Sequence, residues 1–79
     1  MTPAAIIEAR AKTHGDYKLQ AKLAQDLKTR IRQEGGNLSP QQLEALEMIC
    51  VKIARIACGN PNEPDHWADL AGYAMLGGK

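Results

Sequence analysis

Apolar positions recur at helical spacing in four stretches of this chain, each bounded by residues that start or stop helices. Thr2-Pro3 opens the first, pairing a capping hydroxyl with a proline where no amide donor is needed. Ala5, Ile6 and Ala9 form its stripe, which predicts a helix over 3–13. At His14-Gly15-Asp16, Gly15 admits a left-handed turn and Asp16 caps the second helix. That helix, predicted over 17–33, carries Leu19, Leu23, Ala24, Leu27 and Ile31 on one side and stops at Gly35-Gly36. Ser39-Pro40-Gln41-Gln42 reads as a capping box with proline in the first turn, opening a third helix over 40–58. Its broad face of Leu43, Leu46, Ile49, Cys50, Ile53, Ile56 and Ala57 marks it as the central core helix. Gly59 and the Asn60–Pro64 stretch cannot continue it. The last helix, over 65–76, is expected to be capped by Asp65 and to bury Trp67, Leu70, Ala71 and Ala74, leaving Gly77-Gly78-Lys79 frayed. The pattern predicts an all-α fold, a small compact bundle of about four helices, with residues 1–79 as one domain.

Composition supports this. Seventy-nine residues bury only about 60% of the surface their unfolded chain exposes, enough for one thin core. Apolar residues are 44% and charged residues 24%, an ordinary globular balance that argues against disorder. Tyr17, Trp67 and Tyr73 are the only aromatics, so Leu, Ile, Ala and Met must build the core, which suits helix packing. No apolar run approaches a membrane span and no signal peptide heads the chain, so a soluble protein without membrane contact is expected. Cys50 and Cys58 lie eight residues apart on one helix, roughly 12 Å, beyond disulfide reach. With no CxxC spacing they read as reduced thiols in or beside the core.

The net charge of +1 hides an uneven distribution. Residues 1–33 set seven cations against Glu8, Asp16 and Asp26, whereas residues 34–79 set Lys52, Arg55 and Lys79 against six acids. On the second helix Lys18, Lys22, Lys28 and Arg32 fall opposite the apolar side, a stripe of roughly 20 Å with Asp26 at its edge. Arg10 and Lys12 extend it from the first helix. These charges are expected to be unpaired within their own face and to dock an anionic partner. A pI near 7.8, no interleaved aromatics and a loose Gly35-Gly36-Asn37 linker argue against sequence-specific nucleic-acid binding. The expected partner is a protein, met by a monomer or weak homo-oligomer.

Other chemistry has little support. Glu44 with Glu47, and Asp65 with Asp69, are helical acid pairs resembling those of MazG-like, Mg²⁺-dependent nucleoside triphosphate pyrophosphohydrolases. Asp65 and Asp69, however, point away from the Trp67 stripe, and Glu44 lies off the core arc. Glu44 or Glu47 is instead expected to pair with Lys52 or Arg55. His14 reads as part of a helix junction, and His66 has no second histidine at ligand spacing. Ser39, the only serine, is taken as a cap, and no phosphate-binding glycine loop is present. No catalytic residue, metal or cofactor is expected.

Three segments carry a resemblance: HGDY at His14–Tyr17, KIARI at Lys52–Ile56 and DHWADLAGYAML at Asp65–Leu76. Together, in this order and across nearly the whole chain, they resemble a widespread family of small phage and prophage proteins of unknown function. Within that family the chain is similar to an anti-CRISPR protein acting on type I-C systems. The resemblance implies a non-enzymatic inhibitor in the bacterial host cytoplasm. Its partner would be the host surveillance complex, Cascade, whose target-DNA binding it would block. It also implies that the motif residues mostly build the fold, with Gly72 letting helices approach and Tyr73 and Trp67 packing. The inhibitory surface would then lie elsewhere, the basic residues being the candidate.

Overall fold

The computed structural model describes residues 2–79, with the side chains of residues 11–14 outside the description. Four helices account for it: α1 (Pro3–His14), α2 (Tyr17–Glu34), α3 (Pro40–Cys58) and α4 (Pro64–Gly77). They make an all-α body measuring 41 × 23 × 22 Å. The starts and stops follow local chemistry. The Thr2 hydroxyl accepts from the Ala5 amide at 3.2 Å. Gly15 adopts φ +79°, and Asp16 Oδ1 accepts from the amides of Lys18 at 2.8 Å and Leu19 at 3.3 Å. At α3 the capping box closes both ways: Ser39 Oγ accepts from the Gln42 amide, and the Ser39 amide donates to Gln42 Oε1.

Helix α3 is the hub, with α4 packed most closely against it, α2 next and α1 lightly. The fully buried apolar residues are small: Ala24 on α2, and Ala45, Cys50 and Ala54 on α3. Small side chains allow helix axes to come close, which substitutes for bulk in a thin core. Gly77 carries this furthest, since a Cβ there would stand 2.9 Å from the Ala45 Cβ. The expected frayed end is therefore docked. Gln41 Nε2 ties it further, donating to the Leu76 carbonyl at 2.7 Å and more weakly to that of Lys79.

Several expected faces are corrected. On α4 it is His66, Leu70, Tyr73 and Gly77 that turn inward, while Trp67, Ala71 and Ala74 are exposed. Gly72 faces open space, so Gly77 and not Gly72 permits the close approach. Glu63 occupies the N-cap of α4 without a side-chain cap bond, and Asp65 sits in the first turn, not at the cap. On α3 Ile53 and Ala57 reach solvent, because Ala54 and Lys52 take the inward positions beside them. On α2 Leu19 is exposed and Gln20 buried in the first turn, whereas Leu23, Ala24, Leu27 and Ile31 face inward as the spacing predicts. On α1 only Ile6 is half-buried among the described side chains, leaving Ala5 and Ala9 exposed.

Candidate binding surfaces

The basic residues do not form an unpaired stripe. Lys22 Nζ lies 3.1 Å from Asp26 Oδ2 one turn along α2. Arg32 crosses to α3, its Nη2 2.6 Å from a Glu47 carboxylate that is only 17% exposed. Lys28 is half-buried, near enough to Cys50 to lower that thiol's pKa, although burial outweighs it and the pKa is raised overall. Lys18 and Arg10 are exposed near the α1–α2 junction. Lys12 and His14 lie outside the described side chains. Among the described side chains Lys22 and Arg32 are thus drawn into ion pairs and Lys28 into the α2–α3 seam, because α2 packs on α3 along an edge the helical wheel leaves polar.

The carboxylates disperse as well. Glu47 pairs with Arg32 and not with Lys52 or Arg55. Asp69 pairs across the α3–α4 interface with Lys52, Nζ to Oδ2 3.0 Å, the lysine side chain being 8% exposed. The Lys52 hydrogen bond, and then its charge, hold the Asp69 carboxyl below its ordinary value. Among the described residues no group of three His, Cys, Asp or Glu stands close enough to hold a metal ion. Cys50 is buried and Cys58 half-buried, both as free thiols.

Three surfaces stand out among the described residues. The first is the outer flank of α4. Trp67, Ala68, Ala71, Gly72, Ala74 and Met75 cover an arc of about 160° on its wheel, all exposed and none charged. Trp67 is 53% and Met75 73% exposed. The Trp67 indole N–H donates to the Pro61 carbonyl at 2.7 Å, holding the ring against the α3–α4 loop and using up its polar handle. Sequence periodicity missed this face because α4 is apolar nearly all round, so spacing alone could not choose its inward side. The charges on α3 held the clue, since buried Lys52 requires a carboxylate opposite and only one edge of α4 offers Asp69.

The second surface is a cleft of about 680 Å³ where α1, the start of α2 and the end of α3 meet. Arg10, Lys18 and Arg55 line it together with Tyr17 and Ile7. A smaller apolar groove of about 330 Å³ lies between α3 and α4, with Leu46, Ile49 and Tyr73 in its walls. Among the described residues no helix is long and apolar enough to cross a membrane.

Fold and surfaces thus define a small all-α domain whose stabilising contacts gather on α3 and whose α4 flank stands exposed. The chain belongs to the DUF6378 family, described as a domain of unknown function, which it matches over residues 2–79. No curated protein and no solved structure matches it. The three motif segments meet around the second half of α3. Gly15 lies against the Cys58 carbonyl, Lys52 pairs with Asp69, and Ala54 is fully buried.

Proposed function

We propose that this DUF6378 protein is a phage-encoded anti-CRISPR inhibitor that binds the type I-C surveillance complex, Cascade, and blocks its binding of target DNA. The choice of complex rests on the motif resemblance. The observation that supports a protein-binding role is the outer flank of α4, where Trp67, Ala71, Ala74 and Met75 are exposed in one uncharged arc. Contiguous apolar surface of this kind on a small domain marks an interaction site. Trp67, already held by Pro61, is the natural anchor, because a large rigid aromatic side chain loses little freedom on docking. Exposed Lys18 contributes steering toward an acidic patch, and the ion-paired Lys22 and Arg32 contribute less.

The test is target-DNA binding by purified type I-C complex with and without the protein. Wild type at saturation is expected to abolish DNA binding, Met75→Glu to restore it, and Lys18→Glu to slow the onset of inhibition in a salt-dependent way. DNA binding left untouched by saturating wild-type protein would overturn the proposal. Inhibition retained by Met75→Glu with Trp67→Glu would remove α4 from it.

A further inference from the structure

We propose that the outer flank of α4 pairs with the same flank of a second copy of this chain, forming an antiparallel, two-fold symmetric dimer. The proposal shares its face with the inhibitor reading but does not rest on it. The two uses compete, because a flank covered by a second copy is open to another protein only in the monomer.

The chain exposes more surface than a monomer of its size. Its accessible surface is 5683 Å², whereas a folded monomer of 8.6 kDa exposes about 4,700 Å². Its radius of gyration, 13.6 Å, likewise exceeds the roughly 12 Å of a compact domain of 79 residues. The excess of about 1,000 Å² per chain is close to the roughly 800 Å² that each partner buries in an interface of standard size. Some of it lies on the lightly packed α1, but the contiguous uncharged part is the flank of α4. Trp67 and Met75 stand out from that flank, and Leu76 beside them is 51% exposed. A second α4 supplies a surface of the same chemistry, as an isologous contact requires.

The order of residues along α4 selects the antiparallel arrangement. Trp67 and Ala74 are seven residues apart and so lie on one side of the helix, about 10 Å from each other. Ala74 is also a wall of the 330 Å³ groove, together with Leu46, Ile49 and Tyr73. A two-fold axis beside Ala71 brings Trp67 of each copy level with the groove of the other, so an exposed aromatic ring meets an apolar recess twice. The same axis brings the acidic start of α4, at Asp65, to the Lys79 end of the second helix. A parallel pair would set Asp65 against Asp65 and leave each Trp67 far from the groove.

The experiment is sedimentation velocity of the full chain over a range of concentrations. Wild type is expected to sediment as a dimer at about 100 µM and to dissociate on dilution. Met75→Glu and Ala71→Glu each bury two carboxylates in the contact and should weaken the dimer at least about a hundredfold. Both positions are exposed in the monomer, so helical circular dichroism should be unchanged. Asp65→Lys should weaken the dimer about fivefold, and adding Lys79→Asp should restore it. A wild-type chain that stays monomeric at millimolar concentration leaves the flank to a partner of another kind and overturns the proposal. A dimer that survives Met75→Glu with Ala71→Glu overturns it too, and failure of the Asp65–Lys79 exchange to restore pairing overturns the antiparallel arrangement. None of these readouts involves the surveillance complex. A chain that dimerises without inhibiting, or inhibits without dimerising, shows which of the two proposals fails.

Discussion

The α3–α4 interface and the α1–α2 junction are held by different means. Across the first, side chains make the contacts: Gly77 admits Ala45, Ala54 is completely buried, and Lys52 reaches Asp69 at 3.0 Å. Gln41 binds the end of α4 besides. At the junction the backbone sets the geometry, through the left-handed Gly15 and the Asp16 cap. Of the described side chains there, Ile7 is 68% and Tyr17 78% exposed, while Gln20 is buried. The difference shows how a chain of 79 residues divides its duties. A thin core packs α4 and then α2 against α3, and turn geometry sets the lightly packed α1–α2 junction.

The sharpest way to break this contrast is to place bulk at the two glycines of α4. Gly77→Val is expected to cost about 1–3 kcal/mol in urea unfolding, because its added carbons meet the Ala45 Cβ, which a Cβ at position 77 would already approach to 2.9 Å. Gly72→Ala, facing open space on the same helix, should instead raise stability by about 0.5–1 kcal/mol through its better helix propensity. Equal effects at the two sites would mean that α4 does not pack in this orientation.

Gly15→Ala probes the junction. A left-handed alanine costs about 1–2 kcal/mol, and its Cβ would collide with the Cys58 carbonyl. Faster amide exchange confined to residues 3–20, with α3 and α4 still protected, is the expected pattern. Uniform loss of protection would show that the two regions unfold together.

Acid sensitivity gives a smaller effect on the other side of the comparison. Asp69 has its carboxyl held below the ordinary 3.8, first by the hydrogen bond from Lys52 and then by its charge. A depressed folded pKa means stability that is complete above the unfolded value and lost as pH falls through the folded one. Asp69→Asn should therefore lower the melting temperature at neutral pH and flatten the acid limb below about pH 4. A variant with the wild-type pH profile would show that the ion pair does not stabilise the interface. The smallest effect is expected at Lys22→Ala, which breaks an exposed pair within one helix and should change stability by less than about 0.5 kcal/mol in the same unfolding assay.

Much of the local architecture was legible in sequence. Thr2, Asp16 and the Ser39–Gln42 box each make the cap bonds their residue types suggest, because caps are satisfied by neighbours within three residues. The candidate contact surface was less legible. Lys22 and Arg32 were placed on the right helix, but their partners Asp26 and Glu47 depend on rotamers and on how α2 crosses α3. The cleft was harder still, since Arg10, Lys18 and Arg55 come from three helices and no spacing links them.

What the sequence determined by itself is therefore the set of helices and their ends, since hydrogen bonds to nearby residues and backbone preferences at Gly15, Pro40 and Gly59 fix these. Tertiary structure alone decided which side of α4 is buried. That helix is apolar nearly all round, so burial by itself gives no preference. The close approach at Gly77 and the demand of buried Lys52 for Asp69 break the tie, and so leave Trp67 and Met75 facing outward.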